Sequence, residues 1–412
     1  MIRRVVFAVL ALLLLFVPSV VNADSGISVL DSSVEVHFPS ELIFNLEADS
    51  SADIVDARLH YQVDKTNYAQ VTSEGWPDFA PATRIETRWV WDMRKASLPP
   101  GAAVTYWWTV EDADGNKLET PARLVYFDDL RYPWQSLTSD GLTLFWYEGS
   151  DSFARELMDT CKQGLNRLKP ICHWEAWSAE ASPMPATIYV YASTVDLRGA
   201  MIFPQEWTGG AAFTDFGTIV IGIRPDQVDW GKRALVHELT HVVVHQATFG
   251  PYGALPVWLD EGLAMYNEGQ LEWFFQSWLN KAVSEDELIS VASLCSPFSA
   301  EPEKAYLSYA QSYSLVEYLM HNYGQGKMLE LLGLFKQGNT CDAALTQVYG
   351  FDTEGLDSRW RETLATPTAI ASEAWQSHPA LIGVLSALAT SLALAGALAL
   401  EEWTWRRSRK KG

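Results

Sequence analysis

From Lys232 to Phe249 no proline or glycine interrupts the chain, and Leu235, Leu239, Val242 and Val243 recur at helical intervals. That spacing predicts a helix with an apolar stripe toward a core. Within it His237, Glu238 and His241 form an H-E-x-x-H pattern. Residues four apart on a helix project from one face, a turn apart. Both imidazoles can therefore reach a single tetrahedral Zn²⁺, with Glu238 beside the position left open. The opposing reading is a buried helix that carries two histidines without chemical consequence.

A catalytic zinc needs a third protein ligand and one exchangeable position. Val257–Gly269, VWLDEGLAMYNEG, follows at a distance that suits it. Glu261 lies 20 residues beyond His241, room for the rest of one helix, a loop through Gly250-Pro251-Tyr252-Gly253 and a second helix. Pro256 suits the start of that helix, where its missing N–H is harmless. Glu261 would then turn back toward the histidines.

These two stretches resemble the gluzincin metallopeptidases, a peptidase-MA-like group related to the alanyl-type aminopeptidases and thermolysin-like zincins. WLDEGLAMYNE is similar to the W-L-N-E-G-F-A segment of the alanyl-type enzymes. The resemblance implies one zinc per chain, held by His237, His241 and Glu261, with Glu238 as the proton-transferring base. It also implies an acid seven residues after the third ligand, which is Glu268. Two helical turns separate Glu261 from Glu268, so both share a face and Glu268 can accept the free ring N–H of a zinc histidine. LSYAQSYSLVEYLMHNYG (307–324) reads as a helix and resembles the segment holding the catalytic tyrosine of those enzymes, which points to Tyr309. Its phenol would stabilise an oxyanion. Tyr306 and Tyr313 are rivals, as is a purely structural tyrosine. Where the alanyl-type enzymes carry a glutamate that holds the substrate's free amine, the matching position is Ala212. Endopeptidase action is therefore expected over aminopeptidase action. His245 continues the row of His237 and His241, but about 12 Å from His237 along a straight helix it cannot share the same metal. Packing in the core, or around the residues that hold the metal, is its expected role.

The other segments predict an α+β chain. Residues 1–23 read as a signal peptide: Arg3-Arg4, an apolar run from Val5 to Val17, and Val21-Asn22-Ala23 as the cleavage site; an uncleaved anchor is the alternative, since the apolar run is long. Residues 24–130 alternate as strands do, with Val55, Ala57, Leu59, Tyr61 and Val63 in one row and Val104, Tyr106, Trp108 and Val110 in another. Leu42, Phe44, Leu46 and Ala48 suggest a further strand. LPPGAAVTYWWTVEDADGN resembles fibronectin type III and other immunoglobulin-like modules, which implies an N-terminal β-sandwich. Asp128–Pro133 reads as a boundary, after which 131–365 forms a gluzincin-like metallopeptidase domain. In it Ser152–Leu168 is a helix stopped before Pro170, and 186–193 and 218–223 are strands. Residues 366–379 are a tether.

Residues 380–400 carry no charge over 21 positions, close to the roughly 20 residues that cross a bilayer. Tryptophans and a basic tail at 401–412 follow. The pattern predicts a single-pass cell-membrane protein with an extracytoplasmic catalytic domain, a cytoplasmic C-terminus and surface peptides or proteins as substrates. A net charge of −21 argues against nucleic acid as a partner. Cys161, Cys172, Cys295 and Cys341 permit two disulfides, with Cys161–Cys172 and Cys295–Cys341 suggested by sequence order. Two functions compete with this reading: an inert zincin-fold scaffold that binds a partner through its β-sandwich, and a zinc hydrolase that acts on something other than a peptide.

Overall fold

The computed structural model describes residues 26–172, 186–203, 209–251 and 255–365. Eight strands open the chain: β1 (Ile27–Asp31), β2 (Val34–His37), β3 (Glu41–Val63), β4 (Ser73–Gly75), β5 (Ala82–Asp92), β6 (Ala102–Asp112), β7 (Lys117–Glu119) and β8 (Arg123–Phe127). All eight belong to one hydrogen-bonded network centred on β3. The first half of β3 pairs with β1, β2 and β5; the second half pairs with β4 and β6.

Between the halves the register shifts around Ile54, and an extra residue there reverses which side chains point inward. Leu42, Phe44, Leu46, Ala48 and Ile54 are buried before the shift, Ala57 and Leu59 after it. Val55, which heads the apolar row of the sequence, is consequently 48% exposed. Phe44 from the first half meets the edge of Tyr106 on β6, ring centroids 5.0 Å apart, so the sheet folds back over its own core. The two separate sheets of an immunoglobulin-like sandwich are thus replaced by one network, because a single long strand runs through both layers.

The corner after β8 is pinned rather than loose. Asp129 is buried, accepts from Arg131 through both oxygens, and accepts from the Tyr191 hydroxyl at 3.0 Å.

A five-stranded sheet follows, in the order β12-β13-β11-β10-β9: β9 (Gln135–Ser139), β10 (Leu142–Trp146), β11 (Ala186–Tyr191), β12 (Gly210–Phe213) and β13 (Thr218–Gly222). β10, β11 and β13 are parallel; the edges β9 and β12 are antiparallel. Parallel neighbours need a long crossover, and α1 (Asp151–Cys172) lies between β10 and β11. The short α2 (Thr194–Arg198) comes after β11. Then come α3 (Val228–Thr248), α4 (Val257–Glu268), α5 (Trp273–Glu285), α6 (Val291–Leu294), α7 (Pro302–Lys336), α8 (Cys341–Tyr349) and α9 (Thr353–Ala365). Helices and partly parallel strands are interleaved, so the chain is mixed α/β and the expected α+β class is corrected.

α1 runs through Pro170 to Cys172 instead of stopping before it, since a proline so near the C-terminal end removes only one N–H bond. Cys161 and Cys172 therefore share one helix, about 16 Å apart along its axis, and cannot form the disulfide suggested by their order. Cys295 and Cys341 bring their sulfurs to 3.3 Å.

The membrane reading is also corrected. Among the described residues no helix is long and apolar enough to cross a membrane. The long helices carry charge along their length, as Asp229, Lys232, Arg233 and Glu238 do on α3. The proposed span at 380–400 lies outside the described residues, as do the signal peptide at 1–23, the tether at 366–379 and the tail at 401–412. A run of uncharged residues records composition alone, and no single-pass topology rests on it.

α4 crosses α7 at Gly262, where a Cβ would stand 2.4 Å from the Ser312 carbonyl oxygen. Gly262→Ala must push the two helices apart and is expected to destabilise the fold by about 1–3 kcal/mol. Denaturant unfolding of the variant beside the native chain measures it.

Candidate metal centre

α3 is buried nearly all round at its middle, including His237, Glu238 and His241. The sheet, α1 and α4 close around it. α4 runs back alongside and brings a buried Glu261 to the two imidazoles. Glu261 Oε2 stands 3.5 Å from His237 Nε2 and 3.6 Å from His241 Nε2. Each of these three atoms is buried without a hydrogen-bond partner. Orphaned buried polar atoms are rare, and three of them converging call for a ligand. Ligand bonds of about 2.0–2.2 Å arranged tetrahedrally set the donor atoms about 3.3–3.6 Å apart, and both distances from Glu261 fall in that range. The donor set, two imidazoles and a carboxylate, is also one that suits zinc.

The far side of each ring is fixed. His237 Nδ1 donates to Glu268 Oε1 at 2.7 Å, and Glu268 Oε2 lies 3.3 Å from Arg233. His241 Nδ1 donates to Asp260 Oδ1 at 3.1 Å. Asp260 Oδ2 pairs with His245 Nε2 at 2.9 Å. His241, His245 and Asp260 thus form a second cluster of metal-ligating groups. The contacts within it are ordinary hydrogen bonds from the two rings to the two oxygens of Asp260. The sequence alone assigns no role to Asp260. Its place next to Glu261 was the available signal, though only the packing of α4 against α3 shows which ring it meets.

Glu238 is buried beside the histidines. It also abuts the sheet edge: a Cβ on Gly210 of β12 would lie 3.0 Å from Glu238 Oε1. Burial holds the Glu238 carboxyl above the usual carboxylate range, with the neighbouring histidines working the other way. Burial likewise opposes ionisation of Glu261, but His241 and His237 outweigh it and hold that carboxyl low. Two carboxylates beside the same pair of imidazoles are thereby set to different protonation tendencies.

Tyr309 on α7 is buried; burial and then the charges of Glu261, Glu238 and Asp260 hold its phenol well above the usual value. Of the rivals, Tyr313 donates to Glu317 at 3.1 Å and Tyr306 packs among Phe274 and Trp278. Neither takes its charge environment from the cluster. Ala212 sits on the edge strand β12, opposite Ile219, and offers no carboxylate.

Residues 163–366 match the model of the Peptidase MA superfamily. The chain carries a Peptidase MA superfamily domain. No curated protein matches it. Among solved structures, a bromine derivative of BhCBM56 aligns at 15% identity over 23% of this chain and 88% of its own, with a TM-score of 0.17. OgpA from Akkermansia muciniphila aligns at 12% identity over 26% and 29%, TM-score 0.19. The β-glucuronidase of Parabacteroides merdae aligns at 11% identity over 54% and 34%, TM-score 0.18. The chain thus spans about a third of the latter two proteins. At these scores the likenesses carry no argument about fold or activity.

In metal-stripped protein the cluster makes stability pH-dependent. Burial pulls the His237 pKa down, but Glu261 and Glu268 more than offset it and raise it to about 9. A folded-state pKa above the unfolded value of about 6.5 gives stability that is full below about pH 6.5 and lost as pH rises through about 9. Urea unfolding of the protein in chelator should show that decline, and His237→Gln should reduce it, leaving the share that comes from the likewise raised His241 and His245.

Proposed function

We propose that the protein is a zinc metallopeptidase that hydrolyses internal peptide bonds of peptide or protein substrates. The observation that carries this reading is the trio His237 Nε2, His241 Nε2 and Glu261 Oε2, three orphaned buried donors at ligand spacing beside a buried carboxylate. His237, His241 and Glu261 would hold the ion. Zinc bound there supplies Lewis acidity, lowering the pKa of a water and polarising the carbonyl to be cleaved.

The remaining work falls to side chains of this chain. Glu238, whose carboxyl burial holds above the usual carboxylate range, takes a proton from the attacking water and returns it to the departing amide nitrogen. Tyr309, kept protonated by its surroundings, donates its O–H to the oxygen on which charge develops. β12 is an edge strand that passes against Glu238, so an extended peptide adding to that edge would lie along the carboxylate. β12 carries no acidic residue to hold a substrate's free amino terminus, which favours endopeptidase over aminopeptidase action.

Two outcomes are expected. Purified protein should hold about one zinc per chain, and Glu261→Ala should lose it or bind it far more weakly; elemental analysis after dialysis measures both. Glu238→Gln should retain zinc yet lower kcat/KM on a peptide library by roughly 10²–10⁴-fold. Unchanged cleavage by Glu238→Gln, or no zinc in well-folded native protein after metal is added back, would overturn the reading.

A further inference from the structure

Four residues stand in one row on α3 at intervals of four: Arg233, His237, His241 and His245. The inner two present the orphaned Nε2 atoms. The outer two touch no ligand atom of the trio. Each instead holds a carboxylate from α4, and that carboxylate holds an inner ring. Arg233 takes Glu268, whose other oxygen accepts from His237; His245 takes Asp260, whose other oxygen accepts from His241. The arrangement repeats at both ends of the row although the sequence of the two ends has nothing in common.

We infer that His245 is a positioning residue for the metal centre, fixing Asp260 so that Asp260 in turn holds the His241 ring with Nε2 turned toward Glu261. The inference rests on the reading of His237, His241 and Glu261 as zinc ligands. Its argument is geometric. A carboxylate tied through one oxygen can swing about its Cβ–Cγ bond. Tied through both oxygens, at 2.9 and 3.1 Å, it can turn only by breaking one of the bonds. Asp260 lies on the rim of the buried cluster, with its side chain partly open to solvent, and His245 is more open still at 35%. Without His245, water would compete for Oδ2 and the carboxylate would lose its fixed plane. The His241 ring would then keep an acceptor of variable direction, and the ligand spacing at Nε2 would loosen. Partners of metal-binding histidines at this remove typically alter affinity by about 10–100-fold. His245 is one contact further out, which places its effect near the lower end.

The test is zinc affinity of the full chain, by competition with a chromophoric chelator, beside the visible spectrum of the cobalt-substituted protein. His245→Ala should weaken zinc binding by about tenfold and alter the cobalt spectrum. His245→Gln, whose amide N–H can stand near the lost Nε2, should recover most of the affinity. Asp260→Ala should weaken binding at least as much, and the double variant no more than Asp260→Ala alone, because His245 acts only through Asp260. Unaltered affinity and spectrum in His245→Ala would overturn the inference while leaving the zinc site intact. Additive losses in the double variant would overturn it too, as would a second zinc per chain that His245→Ala removes, since His245 would then be a ligand itself. Absence of zinc binding by the native chain would remove the proposed function and this inference together.

Discussion

Two imidazoles and two carboxylates stand buried in the middle of this molecule, and most of the C-terminal architecture can be understood as the means of keeping them there. Charged groups withdrawn from water are costly unless each finds a partner. Here the rings are satisfied on one side only, by Glu268 and Asp260, while Nε2 of each ring and Oε2 of Glu261 face one another without a bond. The packing around them has to hold that unsatisfied geometry against collapse. A single divalent cation held there would neutralise the carboxylate charge and complete all three atoms at once, which would tie ion binding to the fold.

Close helix crossings supply the rigidity. Gly262 lets α4 lie directly on the backbone of α7, placing Glu261 and Tyr309 on neighbouring helices. Near the C-terminal end of α4, Asn267 ties three helices together: its amide donates to Thr240 on α3 at 2.8 Å and contacts the Gly164 carbonyl on α1, while Arg167 donates to its backbone and side-chain oxygens. The helix that delivers Glu261, Asp260 and Glu268 is thus held at both ends. On the sheet side, Gly210 lets β12 pass against Glu238.

The N-terminal strands also reach toward this region. The segment after β3 places the Thr66 amide on the Asp215 carbonyl at 2.7 Å, and Lys65 lies 3.6 Å from the Asp215 carboxylate. Tyr68 stacks on Phe249 at the end of α3, ring centroids 4.3 Å apart. Asp215 follows directly on the edge strand, and Phe249 stands four residues beyond His245. The segment after β3 therefore touches both the turn beyond the edge strand and the end of α3.

Local patterns in the sequence were sufficient for the parts of this architecture governed by short-range periodicity. The row Val104, Tyr106, Trp108, Val110 is buried residue for residue, because an uninterrupted strand alternates strictly. The i, i+4 spacing of His237 and His241 determined that their rings would lie together, because an α-helix permits nothing else. Tertiary structure decided what depends on distant chain. The shift near Ile54 came from pairing with β5 and β6, so Val55 could not be placed from its own alternation. A single-strand connection through both layers, the parallel order of β10, β11 and β13, and the identity of His245 and Asp260 as partners are likewise invisible in local sequence. Each depends on which surfaces meet. Spacing along the chain fixes a side chain's direction from its own helix or strand, and only packing fixes what stands opposite.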